Sequence, residues 1–482
     1  MNWQLMLPLI VYLVGVYAIG YYSSAFVAKA RATSGKTFLE EFFLGSRDLN
    51  GFVLAMTLVA TYISASSFIG GPGVAYNQGL GWVFLAMSQM PTGYLTLTLL
   101  GKRFAITARK MEALTVVDFL KKRYQNDAVV VLASASVVLF LLSSMTAQWI
   151  GAARIFQATG LSYEAGLTIF VLTVLVYVTV GGFRAVALTD ALQGCVMLVG
   201  TLAIFIGTVV AGGGLSNIIQ TMYRTNPDLI TPFGVKGYIA VPWVSSFWVL
   251  VGLGLAGLPQ IAVRAMAYKN SRSMHRAIII GTPVAGFLML GMHLVGALAR
   301  GVVPGIKVGD MVVPTLTVQV LPPWLAGVFL AGPLAAIMST VDSMLLMVSS
   351  SIVKDLYLNY INKRATDRMV SSLSLATTAI VGVIVYLTAL KPPSLLVWLN
   401  LFALGGLEAA FFWPIILGLY WPKANGAGAL ASLITGVSTY IVFDRVWNRP
   451  FGTHTVVLPL VLALLAFVLV TSLTTKKQLQ KL

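Results

Sequence analysis

Ser339, Thr340, Asp342 and Ser343 bring three hydroxyls and a carboxylate together inside an apolar, helix-forming run. Ser339, Asp342 and Ser343 are spaced i, i+3, i+4 and so share one helix face, with Thr340 beside them. Hydroxyl and carbonyl oxygens are hard ligands of the kind that replaces a small cation's water shell. A single buried hydroxyl is more simply read as bonding back to a carbonyl one turn earlier; the cluster with an acid points to cation binding. A second stretch complements it. Thr61-Tyr62-Ile63-Ser64-Ala65-Ser66-Ser67-Phe68-Ile69-Gly70-Gly71-Pro72-Gly73 is polar and helix-breaking, yet lies within an otherwise apolar segment. In lipid every backbone N–H and C=O needs an internal partner, so a break is tolerated only where it is buried in protein or lines a watery cavity. Broken helices at membrane depth build ion and substrate sites.

Three acids lie inside apolar runs: Asp190, Asp342 and Glu408. Such residues are rare and usually functional. No Lys or Arg is expected at their depth, so they read as unpaired acids facing a cavity, suited to a cation or a proton. Glu408 is the weakest of the three, since a polar packing contact also explains it. Enzyme chemistry finds no support. His275, His293 and His454 are scattered over a loop, a span and another loop, and no HExxH, CxxC, P-loop or GxSxG pattern occurs. Cys195, the single cysteine, excludes a disulfide within the chain and is expected to be a small buried apolar residue.

The elements that must position these groups are membrane helices. The 482 residues are 58% hydrophobic and only 10% charged, with mean hydropathy +0.88, against about 25% charged residues in soluble domains. Apolar runs of membrane-crossing length recur throughout. They predict an all-α polytopic membrane protein of about thirteen spans, starting near residues 5, 50, 80, 127, 162, 187, 240, 276, 322, 369, 394, 428 and 455. The first lacks a basic leader and a small-residue cleavage site and reads as a retained helix. The net charge of +17 follows topology rather than nucleic acid: alternate loops place 24 of the 32 Lys and Arg, Arg264 among them, on one side. The positive-inside rule makes that side cytoplasmic, with the N-terminus outside, the C-terminus inside, and the cytoplasmic (inner) membrane as location. No Ser-, Gly- or Pro-rich linker divides the chain, so residues 1–482 form a single membrane domain. A second interrupted run, Phe247 to Gln260, carries Gly252, Gly254, Gly257 and Pro259. The two breaks fall in the second and seventh spans, the spacing of two inverted five-helix repeats. Either break alone is equally explained by close helix packing.

Two further stretches carry a family resemblance: Tyr177-Val178-Thr179-Val180-Gly181-Gly182-Phe183-Arg184-Ala185, and Gly418-Leu419-Tyr420-Trp421-Pro422-Lys423-Ala424-Asn425-Gly426-Ala427-Gly428-Ala429, continuing to Gly436. With the span plan they resemble the sodium:solute symporter family over essentially the whole chain. The stretches 60–73, 79–82, 247–251, 353–359 and 398–401 are most similar to members that carry pantothenate. The resemblance implies a LeuT-like 5+5 inverted-repeat core, with residues 49–212 and 240–421 as the repeats. One extra helix precedes it (1–48) and two follow (422–482). It implies a sodium (Na+) site built from the backbone carbonyls of Ala60, Ile63 and Ala336 and the hydroxyls of Ser339 and Thr340. A second cation or proton site would use Asp190, Ser339 and Ser343, with Asp342 close by. Asp342 departs from members with a neutral residue there, which leaves sodium, a proton or nothing open at that site.

The implied function is sodium-coupled import of pantothenate by alternating access, driven by the sodium gradient and the membrane potential. The solute's carboxylate would meet the positive end of a half-helix near Ser66, Ser67, Gly70 and Gly71 or near Gly254 and Gly257, with Gln148 and Gln260 as polar partners. Alternative solutes are proline and other small carboxylates or amino acids. A non-transporting membrane sensor is the alternative from another class, but the chain's short basic tail offers no signalling output. Beyond solute, sodium and lipid no partner is expected: no nucleic acid, and a functional monomer.

Overall fold

The apolar runs fold as helices because only a helix satisfies a segment's backbone within itself in lipid. The computed structural model describes residues 2–34, 49–393 and 395–479, the side chains of 19–34, 176–185, 188, 367 and 476–479 excepted. The helices that matter for the site are α1 (Trp3–Ser34), α2 (Gly51–Tyr62), α3 (Gly71–Gln78), α4 (Asp127–Ala158), α5 (Tyr163–Ala211) and α6 (Pro259–Ala267). They continue with α7 (Ser271–Val302), α8 (Pro323–Ser350), α9 (Asp367–Ala389), α10 (Leu396–Tyr420), α11 (Gly426–Val446) and α12 (Val457–Leu479). Polar residues set several starts: Asn126, Ser162, Asn270, Thr366 and Asn425 each accept a backbone N–H of the first turn.

Among the described residues, eight helices are long and apolar enough to cross a membrane, three more spans are bent pairs, and Trp3–Ala18 and Tyr163–Leu175 are shorter apolar helices. Together they account for the thirteen expected spans, and the protein is a multi-pass membrane protein. Spans five and six share one helical run, α5, of 49 residues. At 1.5 Å per residue it would reach about 74 Å, more than twice a hydrocarbon core. Both its ends lie at the same face. Tyr163 Oη donates to Ala389 O at the end of α9 (2.7 Å), and the Cβ position of Gly212 is 3.0 Å from Val302 at the end of α7. The run therefore returns on itself. The stretch Tyr177–Ala185 falls within it, its side chains outside those described.

The two breaks have matching geometry. Ile63 ends α2 at φ −78°, ψ 119°, and Leu258 precedes α6 at φ −79°, ψ 119°. At Leu258 the following Pro259 disfavours the helical region; at Ile63 the run of serines supplies local alternatives to helical bonding. The pairs bend by 64° and 51°. In the first, a regular helix precedes the break and a π-turn, Ser66–Gly70, follows it. In the second the order is reversed: Trp248–Leu253 and Gly254–Gly257 are irregular, and α6 is regular. The regular halves meet where Leu49 N donates to Ala267 O (3.3 Å) and Lys269 N to Leu49 O (3.1 Å). That face carries most of the Lys- and Arg-rich connections and is called the basic face below.

Two expectations about burial fail. Cys195 is exposed rather than buried; it sits on the lipid-facing side of a span. Arg264, assigned to a loop, is 1% exposed inside α6.

At the opposite face a short turn joins α3 to α10. Gly309 packs against Gly73 of α3, and the neighbouring Asp310 accepts from Leu396 N (3.1 Å), capping α10 where Leu395 offers no capping oxygen. Burial pushes the Asp310 carboxyl up to about 7, against the opposing pull of the Leu396 bond and of Arg154. The folded protein thus keeps a proton that the unfolded chain has lost between about pH 4 and 7. Its stability falls as pH rises through that window. Asp310→Asn is expected to flatten the melting temperature across the same window. A slope identical to the parent's would mean that Asp310 titrates alike in both states.

Candidate functional site

The break after α2 releases backbone groups that a continuous helix would have consumed. Gln148 Oε1 takes the freed N–H of Ala65 (2.7 Å). The freed carbonyls turn toward α8. Ser339 Oγ lies within hydrogen-bond distance of Ala60 O (2.8 Å) and Ala336 O (3.0 Å). Thr340 Oγ1 lies 3.1 Å from Ile63 O, 2.9 Å from Ala336 O and 3.4 Å from Ala60 O. The five oxygens predicted for sodium thus converge at one point between α2 and α8, on residues that are all fully buried. The set is hard and uncharged, which suits a small monovalent cation. Each hydroxyl can rotate from donating to a carbonyl to accepting a cation beside it. Among the described residues no His, Cys, Asp and Glu cluster offers an alternative metal site.

The second predicted site is assembled differently. Asp190 and Ser343 do meet, but around Arg264. Its Nη2 bonds Asp190 Oδ2 (3.2 Å) and Ser343 Oγ (2.6 Å), its Nε bonds Thr57 O and Oγ1 (3.2 and 3.1 Å), and its Nη1 bonds Gln260 O (2.8 Å). Thr57 Oγ1 donates to Asp190 Oδ2 at 2.5 Å, and Ser343 Oγ donates on to Ser339 O at 3.0 Å. The expectation that no Lys or Arg reaches the acids is therefore wrong for Asp190. Arg264 was counted among the loop residues of the basic side; its flanks, Ile261-Ala262-Val263 and Ala265-Met266-Ala267, are the apolar signal that it is buried. Asp342 is also fully buried on α8. Glu408 is buried on α10, its carboxylate against Gly254 of the second broken span.

Beside this oxygen cluster lies a small, partly enclosed cavity. Of the residues expected at the solute site, Ser66, Ser67, Gly71 and Gln260 line it, and Thr340 forms part of its wall. The other four predicted residues take supporting places. Gly70 packs on Val397, Gly254 on Glu408 and Gly257 on Phe412, while Gln148 caps Ala65. Trp82, His293 and Asn400 line the cavity without having been predicted. A lone histidine or asparagine in an apolar span gives no sign of which way it faces. Ser66 Oγ, Gln260 Oε1 and Trp82 Nε1 are buried on this wall with no partner among the described residues, as groups awaiting a ligand would be.

Helix ends divide the charge. The C-terminal end of α2 directs carbonyls at the hydroxyls of Ser339 and Thr340. The N-terminal ends of the two other half-helices, near Ser64 to Ser67 and near Leu258 to Gln260, face the cavity. Carbonyl ends favour a cation, and N–H ends favour an anion. An aromatic layer closes the cavity toward the face opposite the basic one, with Trp82 edge-on to Phe247 (5.9 Å) and Trp398 (6.3 Å). Toward the basic face, Arg264 and Ser343 separate it from a recess that reaches Thr115 and Met347.

Comparisons with known proteins match this architecture. Residues 42–436 match the model of the sodium:solute symporter family. The chain is 48% identical to a sodium/pantothenate symporter of Haemophilus influenzae and 50% identical to one of Escherichia coli; each alignment covers 97% of this chain and 96% of the relative. In fold it is similar to a Na+-coupled sialic acid symporter solved in a substrate-bound, outward-open state, with TM-score 0.79 at 18% identity over 98% of both chains. The thirteen-span plan, the two matched breaks and these likenesses have one explanation: the chain is a membrane transporter, not an enzyme, and belongs to the sodium:solute symporter family.

Proposed function

We propose that this protein imports pantothenate together with sodium across the cytoplasmic membrane by alternating access. The observation that carries the reading is the 48–50% identity to sodium/pantothenate symporters along 97% of the chain. The cavity supports it chemically. Pantothenate is a carboxylate with hydroxyls, an amide and two methyl groups. Two helix N-termini suit the carboxylate, Ser66, Ser67, Gln260 and Asn400 suit the polar groups, and Trp82, Phe247 and Met344 suit the methyls.

Sodium, held by Ala60, Ile63, Ala336, Ser339 and Thr340, would pin the broken α2 to α8. Thr340 belongs both to that cluster and to the cavity wall, so the ion shapes the solute site. Sodium and solute then raise each other's affinity by the same factor. The aromatic layer and the Arg264–Asp190 pair serve as the two gates that open alternately. Residues 49–212 and 240–421 are the two repeats, and the basic face is cytoplasmic, with the N-terminus outside.

The test is uptake of labelled pantothenate into proteoliposomes with and without an inward sodium gradient, with proline and small carboxylates as competitors. Accumulation that needs sodium and resists the competitors is expected. No accumulation under a gradient that drives a control symporter would remove pantothenate. Gln260→Ala removes one hydrogen-bonding group from the wall. At about 1–2 kcal/mol, it is expected to raise half-saturating pantothenate about 5- to 30-fold; unchanged saturation would place the solute elsewhere.

A further inference from the structure

Beyond the aromatic layer, on the face opposite the basic one, lies a vestibule. It is walled by Trp398 of α10, Tyr440 and Asp444 of α11, and Arg449 and His454 of the connection from α11 to α12. We infer that this vestibule is a second binding site, for a small carboxylate bearing hydroxyl groups, where the solute docks before it enters the central cavity. The identity of that carboxylate rests on the pantothenate reading above; the carboxylate site itself does not.

Arg449 supplies the charge. Its guanidinium carbon lies 3.9 Å from the centre of the Trp243 ring and 4.6 Å from that of Tyr238. An aromatic face attracts the cation without consuming its N–H donors as a carboxylate would. Among the described residues no carboxylate pairs with Arg449, so its fork of donors stays open to one, the partner it fits bidentately. The central cavity has no such group: among the described residues no Lys, Arg, Asp or Glu lines it. The backbone that presents Arg449 is left-handed there, with φ 67° and ψ 62°, and again at Phe451, with φ 53°. For residues with a Cβ this conformation is uncommon and persists only where the surroundings hold it. Ser246 Oγ accepts from His454 N (2.8 Å), which fastens the connection to the stretch Val241–Phe247 leading into the second break.

His454 adds a neutral donor. Val456 N donates to its Nδ1 (3.3 Å), so the proton sits on Nε2. Burial, with the Arg449 charge behind it, pushes the ring down to about 3. Asp444 opposes a carboxylate but accepts from hydroxyls, so the wall favours a solute that carries both. One layer of side chains separates vestibule from cavity. Leu401 lines both. Phe247 of the cavity wall packs on Trp243 (5.2 Å) and His454 (5.7 Å), and Trp82 packs on Trp398 (6.3 Å). An anion docked at Arg449 therefore sits directly on the rings that close the cavity. A positive group at the mouth of a cavity that carries no charge of its own concentrates an anion there and raises its capture rate by about 10-fold or more.

The full-length protein in lipid nanodiscs is expected to bind two labelled pantothenate ions per chain, and Arg449→Gln one. A single ion in the parent overturns the inference, and that count decides even if the variant does not fold. In proteoliposomes under a fixed sodium gradient, Arg449→Gln is expected to lower kcat/KM for pantothenate about 10-fold, with kcat within about 2-fold of the parent because the central cavity is intact. An analogue with a hydroxymethyl group in place of the carboxylate is expected to inhibit parent and variant equally. Unchanged kcat/KM, or an equal loss for the uncharged analogue, would overturn the inference, the second in favour of a structural role for Arg449. If the folded parent neither binds nor carries pantothenate, the pantothenate reading falls and gluconate, another hydroxylated carboxylate, becomes the probe. Its quenching of tryptophan emission is expected in the parent and lost in Arg449→Gln; the same response in both, or none in either, would end the case for the outer site.

Discussion

Sodium-driven uptake is expected to be lost in Thr340→Ala, and equally in Ser339→Ala, at normal membrane abundance. Each hydroxyl is one of five oxygens around a point that carries no formal charge, so no carboxylate there can compensate for its loss. Removing a buried hydrogen-bonding or ligating group costs about 1–3 kcal/mol, or roughly 5- to 150-fold in sodium affinity. Thr340 also lines the solute cavity, so the loss propagates to the solute through reciprocal coupling. Thr340→Ser keeps the oxygen and is expected to keep transport. Stability provides a readout independent of flux. A ligand that binds only the folded state stabilises it by RT ln(1 + [L]/Kd), so added sodium should raise the melting temperature of the parent and of Thr340→Ser but not of the alanine variants. Parent-like half-saturation for sodium in both alanine variants would sink this assignment of the site.

The parts of this site that were legible in the sequence are those written as breaks in an apolar pattern. The serines after Ile63 and the Gly–Pro run before Gln260 stand out because lipid forbids irregular backbone without a reason. The hydroxyl cluster of α8 stands out because its spacing places it on one face. What the sequence hid is which way a residue faces once its helix is broken. Gly254 and Gly257 were read as a cradle for the solute, yet each faces a neighbour on α10, Glu408 and Phe412. Their smallness serves close approach of two helices. Gln148, on a continuous helix, was expected to meet the solute; it meets the N–H that the break in α2 orphaned. Arg264 was misplaced because charge in a membrane sequence is read by its distance from a loop. In a nine-residue half-helix every position is near a loop, so only its apolar neighbours reveal that it is buried. The same ambiguity applies to His293 and Asn400, whose lining of the cavity depends on helix rotation alone.

Asp190→Asn is expected to be among the most destabilising single changes in the chain, even though it conserves shape. It leaves the Arg264 guanidinium buried in the protein interior with neutral partners. Removing one member of a buried ion pair costs about 3–5 kcal/mol, because the remaining charge keeps its desolvation penalty and loses its compensation. That is a large part of a typical 5–15 kcal/mol margin. Adding Arg264→Gln should recover most of the loss, since the residual pair is neutral and can still hydrogen-bond to Thr57 and Ser343. The two residues share partners, so their effects cannot be additive, and a double-mutant cycle on thermal stability in sodium-free detergent isolates the coupling. The cycle should return a coupling of about 2 kcal/mol or more. Additive single effects would mean that the contact between Arg264 and Asp190 contributes nothing to the folded state. The cycle also separates the two jobs of the pair. If the double variant is stable yet leaks pantothenate down its gradient without sodium, the pair acts as the gate toward the basic face; if it is stable and still tightly coupled, its task is to neutralise Asp190, and the gate lies with the helices that α6 joins.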